Sequence, residues 1–228
     1  MCPGRPRARQ HGDMSDPVTA PVHSLVTDRD ALRRKMLARR RRLSADVVAR
    51  NSALVVERLR NLSEVAGAGT MGTYLGVRGE VDPSGLLGFE RPDGTFSGGV
   101  LDSRLALPLT IPGEPLRFVV PTGPLEAGPF GIRQPTVGPG RGDEVDPMDL
   151  DVVLVPLVAA DRRGNRIGHG AGFYDRTFAH VAEGRASGEP TPLLMGVCHD
   201  FQVVDTIEAK PWDIPLDLIV TEVGITRS

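Results

Sequence analysis

Cysteine is nearly absent from this chain of 228 residues: only Cys2 and Cys198 occur. They form neither a CxxC pair nor a metal-ligand spacing, which argues against a disulfide framework and fits a reducing compartment. Cys198 lies in the apolar run "LLMGVC" and reads as a buried structural thiol. Lysine is as scarce. Lys35 and Lys210 stand alone among 27 cationic side chains, the rest being arginine, and the two types are not equivalent as phosphate ligands. Neither sign of charge dominates. The formal net charge of -2 gives no general reason to expect nucleic acid or an anionic membrane as partner. No run approaches the ~20 apolar residues needed to span a bilayer. The opening "MCPGRPRARQHGDM" has arginines with no apolar segment behind them, so it is not a secretory signal. Internal repeats, a histidine triad and Cys–His or Ser–His constellations are missing too. These absences lead us to expect a cytoplasmic protein.

What is present suits one domain with a substantial core: 40% hydrophobic and 25% charged residues at an ordinary domain length. Residues 1–24, rich in Pro, Gly and Arg without periodicity, read as a disordered tail, with Met14 as a second candidate start. Residues 25–228 read as a single α/β domain. Asp28 caps a first helix through "RDALRRKMLARRRR", with Leu32, Met36 and Leu37 as its apolar stripe. Ser44 caps a second, in which Val48, Val55, Leu59 and Leu62 recur at helical spacing to about residue 62. "TMGTYLG", "LALPLT", "LRFVVP", "LLMGVC" and "LDLIVTE" read as strands. "DLDVVLVPLVA" reads as a central strand buried on both faces. Asp82 and Pro83 mark another helix start. The stretch from Pro121 to Asp149 reads as one long loop. The expected fold is α/β: an open, largely parallel or mixed sheet flanked by helices, with N-terminal helices.

Ligands in such sheets sit beyond the carboxyl ends of the strands. There the sequence reads "RIGHGAGFYDR", Arg166 to Arg176, between a turn "DRRGN" and an expected helix "YDRTFAHVAEG". Glycine lets backbone amides approach a ligand closely, and a following helix adds unpaired amides. The stretch suits a phosphate or carboxylate, with charge from Arg163, Arg166 and Arg176. It lacks the lysine of a P-loop and the spacing of a dinucleotide fingerprint, so tight packing alone is the competing account. Asp175 either favours the helix dipole or holds Mg²⁺ against bound phosphates. Asp213, in a proline-flanked loop, is a turn residue or the second metal acid. Glu80 is a solvated loop acid or a substrate-reading carboxylate. His169, between glycines, is a phosphate contact or an acid/base. The arginine run of the first helix is a solvated face, a nucleic-acid arm, or a source of one or two side chains that fold back over a nucleotide.

Taken together, the arginine-bearing first helix, "YLGVRGEVDP", "VPLVAADRRGNRIGHGAGFYDR" and "PWDIPLDLIVTE" resemble the 5-formyltetrahydrofolate cyclo-ligase family over residues 28 to 224. The resemblance implies an ATP- and Mg²⁺-dependent enzyme that converts 5-formyltetrahydrofolate to 5,10-methenyltetrahydrofolate with release of ADP and phosphate. It implies Arg29 and Arg33 as ATP contacts from the first helix. It implies that Arg166, Ile167, Gly168, His169, Gly170, Ala171, Gly172, Phe173 and Tyr174 wrap the nucleotide. Leu75 and Glu80 would meet the folate, together with His169 to Phe173. Asp175 and Asp213 would hold the metal, and His169 and Tyr174 are the catalytic candidates. The partners implied are small molecules, reduced folate and ATP, with a monomer favoured and neither nucleic acid nor membrane expected. Arg29 stands where relatives commonly carry lysine, Phe173 where tyrosine is frequent, and Trp212 where histidine is common; His169 and Ala171 fill variable slots. Another ATP-dependent ligase or kinase, and a folate- or nucleotide-binding regulator without turnover, stay open as alternatives.

Overall fold

Asp28 and Ser44 start the N-terminal helices as their short oxygen-bearing side chains allow. In the computed structural model, which describes Met1, residues 28–97, Gly99, Leu101 and residues 103–228, Asp28 Oδ1 accepts from the amides of Asp30 and Ala31. It thereby opens α1, Arg29–Arg40. Ser44 Oγ accepts from Val47 N at 3.3 Å and opens α2, Ala45–Arg60. The tail expected over residues 1–24 lies, Met1 apart, outside the described residues.

The strands assemble into one eight-stranded sheet. From edge to edge it runs Ile225–Arg227, Leu218–Val220, Leu193–Val197, Val152–Pro156, Thr70–Gly72, Arg104–Leu109, Arg117–Pro121 and Gly142–Val145. The pairings from Leu218–Val220 through Arg104–Leu109 are parallel, and the outermost pairings are antiparallel. The largely parallel, mixed α/β sheet is as expected. Its core follows from the two-residue period of a strand. On the central strand Val152 and Leu154 face one apolar cluster, shared with Val55, Leu59 and Val65 of the N-terminal helical layer. Val153 and Val155 face another, shared with Phe118, Phe178 and Val181. Both faces are thus covered, as a parallel sheet requires.

Three segments differ from the sequence expectation. The apolar run that ends at Ala159 divides: Val152–Pro156 stays in the large sheet, whereas Ala159–Asp161 pairs with Arg166–Ile167 and Val203–Val204 in a three-stranded sheet. The "DRRGN" turn is the hairpin between the first two of these. Asp161, fully buried, accepts from the amides of Arg163, Asn165 and Ile207. Gly164 adopts φ +84°, and a Cβ there would lie 2.3 Å from Leu216 O, so only glycine fits. The helix expected after the glycine stretch is two short ones, Phe173–Thr177 and Val181–Ser187. Between them Phe178 leaves helical geometry and packs its ring against Phe118 and Tyr174, centroids 6.2 and 6.3 Å away. The long loop from Pro121 to Asp149 contains a small ribbon, Glu126–Ala127 with Arg133–Gln134, and the edge strand Gly142–Val145. Its Gly and Pro content reveals the turns and conceals the pairing.

Candidate functional site

The small sheet sets the glycine stretch at the end of a hairpin, and α1 lies across it. Met36, with Leu32 and Leu37, packs on Ala159 and Ile167, which brings the arginines of α1 onto the loop. Arg33 Nε donates to Gly168 O at 2.9 Å, and Arg29 NH2 to Arg166 O at 3.3 Å. Part of the arginine run therefore folds over the glycine stretch. Arg163 turns instead to Thr206 Oγ1, and Arg176 to Ala171 O and the Phe173 ring.

Beside this loop opens a cavity of about 470 Å³, within the usual range for small-molecule sites. It unites the expected residues from both halves of the sequence: Leu75 and Glu80 on one side, Gly168, His169, Phe173 and Tyr174 on the other. The glycines decide between packing and ligand approach. A Cβ on Gly168 or Gly170 would meet nothing within 4 Å, so tight packing does not require them. Gly170 has φ +106°, which demands glycine; Gly168 lies outside the left-handed region. What its missing Cβ leaves is open space along the loop, the arrangement that lets amides reach a bulky anion.

The segments that carry the two expected metal acids meet. Ile214 N, next in chain to Asp213, donates to Asp175 Oδ1 at 3.3 Å. Arg166, almost fully buried, bridges the same segments: it donates to Asp175 Oδ1 at 2.6 Å and to Ile214 O. Asp213 is gripped by both ends of the Arg29 guanidinium, at 2.6 and 3.2 Å, and by Lys210 N. Asp175 Oδ2 has no hydrogen bond among the described residues. Asp175 borders the cavity, whereas Asp213 does not; their hard carboxylate oxygens are the donor type that Mg²⁺ takes, one or two per ion with phosphate and water completing the shell. Asp213 would have to loosen its fork with Arg29 to join.

The cavity floor is a buried polar cluster. Glu80 is 6% exposed; its Oε2 accepts from Val77 N at 3.0 Å. Burial raises its carboxyl above the usual range, opposed by the Arg40 charge. Arg40 NH2 stands 2.8 Å from His169 Nε2 and 3.4 Å from Glu80 Oε1. Burial, with the guanidinium groups of Arg40, Arg78 and Arg33 nearby, pushes the His169 imidazole down to about 4. The 3.4 Å approach of His169 to Glu80 is therefore no ion pair at neutral pH. Burial also holds the Tyr174 hydroxyl well above the usual phenol range, so it stays protonated.

Sequence reasoning passed over three residues here. Arg40 looks like one more member of a solvated basic face; only the packing of α1 shows it inside. Arg78 lines the cavity next to Glu80; it lies within "YLGVRGEVDP", and a lone arginine in that loop is an available clue. Phe130 was overlooked inside the long loop, although an aromatic ring between Pro129 and Gly131 is an available clue. It stands edge-on to Phe173, centroids 6.2 Å apart.

The sequence profile described as the 5-formyltetrahydrofolate cyclo-ligase family matches residues 26–222. The chain is 37% identical over 99 residues to the 5-formyltetrahydrofolate cyclo-ligase of Mycolicibacterium smegmatis, a match that spans about half of either protein, 43% of this chain and 46% of that one. It is 29% identical over 173 residues to the enzyme of the same name from Haemophilus influenzae, covering 73% of this chain and 83% of that one. Among solved structures, the 5,10-methenyltetrahydrofolate synthetase of Aquifex aeolicus superposes with a TM-score of 0.68 at 32% identity, over 87% of this chain and 92% of that chain.

Proposed function

The chain belongs to the 5-formyltetrahydrofolate cyclo-ligase family, and from that premise we propose that it closes the methenyl bridge of a reduced folate at the expense of ATP. The carrying observation is the cavity that joins Leu75 and Glu80 to the open glycine stretch and to Asp175. One wall suits a flat heterocycle and the other a polyphosphate.

The formyl group is an amide, and its oxygen is a poor leaving group. Transfer of the γ-phosphoryl group to that oxygen gives an imidate-like phosphate and ADP. Nitrogen-10 of the same folate then attacks the formyl carbon, loses its proton, and phosphate departs with the former formyl oxygen. Alignment and charge neutralisation are the main demands, as in other phosphoryl transfers. In our reading the amides from Arg166 to Tyr174 cradle the phosphates, and Arg29 and Arg33 exchange part of their present contacts for phosphate oxygens. Glu80 accepts from the N–H groups of the folate ring system, with Leu75, Phe130 and Phe173 against its faces. Asp175 and Asp213 would hold Mg²⁺, which would supply charge neutralisation for the phosphates. His169 and Tyr174 offer neutral hydrogen-bonding groups at the reacting centre. In our reading the enzyme acts on small molecules as a cytoplasmic monomer.

The test is direct. Folded protein with 5-formyltetrahydrofolate and MgATP develops near-ultraviolet methenyl absorbance, and does so only when ATP is present. A flat trace with every component added refutes the reading. Binding of both ligands without ADP release identifies a regulator instead. Asp175→Ala keeps the fold and loses turnover; full activity removes its metal role.

A further inference from the structure

Arg40 closes the last turn of α1 yet is 2% exposed, an uncommon place for a guanidinium. Its NH2 lies 2.8 Å from His169 Nε2 and 3.4 Å from Glu80 Oε1, and its NH1 lies 3.4 Å from Leu157 O. Its Nε has no partner among the described residues. A guanidinium donates and never accepts. The histidine nitrogen that faces it must present a lone pair, so the ring is neutral and carries its hydrogen on Nδ1. The charged groups around His169 agree: Arg33 and Arg40 from α1 and Arg78 from the loop oppose a second positive charge, against the single carboxylate of Glu80.

We propose that Arg40 is a positioning residue that locks His169 as the neutral Nδ1–H tautomer. The glycine stretch then meets a ligand oxygen with an imidazole N–H donor, rather than with a base or an imidazolium. This builds on the reading of the cavity as a folate and nucleotide site only in naming the ligand. His169 and Glu80 hang from one guanidinium, so the docking of α1 sets both walls of the cavity floor at once. An acid/base role through His169 Nε2 is excluded by the same geometry.

Nitrogen-15 NMR of the imidazoles in the full-length, ligand-free chain tests this. His169 is expected with a protonated Nδ1 and a bare Nε2 through the neutral range. His199 is a built-in control of opposite tautomer: its Nε2 donates to Gly79 O and its Nδ1 accepts from Asn51 Nδ2, each at 3.0 Å. Arg40→Lys retains a donor and keeps the His169 signature. Arg40→Met gives mixed tautomers that titrate toward the ordinary value of about 6.5, with kcat/KM down about 10-fold (about 1.4 kcal/mol). Arg40→Lys recovers part of that loss. A wild-type His169 protonated on Nε2 overturns the proposal. So does Arg40→Met with an unchanged His169 signature while His199 stays native. If Arg40→Met does not fold, the wild-type tautomer decides alone. The signal is read without folate or ATP, so its failure is distinct from failure of the ring-closure reading.

Discussion

Arg78 and Phe130 are the two non-glycine residues with left-handed backbone among the described residues, φ 52° and 61°, and they hold each other: Arg78 NH2 donates to Phe130 O at 3.0 Å. Residues in this region cost about 1–3 kcal/mol each and persist only where the surroundings over-determine them. Here two such residues meet across the mouth of one cavity. The contact keeps the Phe130 ring in place while 55% of the residue stays exposed.

An exposed ring contributes little to the core, and in our proposal this one meets the folate. Phe130→Ala is therefore expected to raise KM for 5-formyltetrahydrofolate about 10-fold, while stability changes by less than about 0.5 kcal/mol, as for a surface substitution. Steady-state kinetics and urea unfolding of the same preparation separate the two. A large stability loss with unchanged KM would make the ring structural.

Gly168 divides folding from binding in the same way. A Cβ there meets nothing within 4 Å in the ligand-free chain, and the backbone angle does not demand glycine. Gly168→Ala should fold with an unaltered melting temperature and bind ATP about 10-fold more weakly, by calorimetric titration. Unchanged ATP affinity would mean that the phosphates pass elsewhere.

Glu80→Gln preserves shape but removes the charge that faces Arg40. Folate affinity should fall about 10- to 100-fold, whereas ATP affinity should hold. Stability should fall by about 3 kcal/mol, since Arg40 is left as an uncompensated buried charge. Separate titrations of the two ligands against the variant read the first expectation, and denaturant unfolding reads the second.

The pH dependence of stability carries the mark of His169. Its folded value of about 4 lies below the ordinary 6.5. Between these values the unfolded chain takes up a proton that the native chain refuses, so stability falls as pH drops from about 6.5 to about 4. With the side chain 40% exposed, solvent screening holds the effect to about 1 kcal/mol. Glu80, raised by burial, works in the opposite direction, so the wild type alone does not isolate the histidine. His169→Gln should flatten the slope in that window, and urea midpoints across it give the answer. A slope equal to that of the wild type would refute the depressed value.

The helix starts at Asp28 and Ser44 and the alternation along Val152–Pro156 are short-range matters. A capping oxygen needs amides two or three residues on, and a strand buried on both faces needs an unbroken apolar run. For that reason the six inner strands of the large sheet were legible in the sequence, whereas the edge strand Ile225–Arg227 was not. Nor was the strand Gly142–Val145, because its residues have no apolar pattern of their own and are held by hydrogen bonds to Arg117–Pro121. Phe178, which interrupts the expected helix, answers to Phe118, sixty residues earlier.

The sequence by itself determined which groups are available: glycines where a side chain would obstruct, arginines in the first helix, and the acids Glu80, Asp175 and Asp213. Each is a local choice of residue, and together they mark the family. Only the tertiary structure decided that Arg40 points inward while its neighbours face water, that Arg29 grips Asp213, and that Phe130 reaches Phe173. Those relationships join segments far apart in the chain. Their geometry depends on which faces of α1 and the sheets bury together, and no single stretch of residues contains that information.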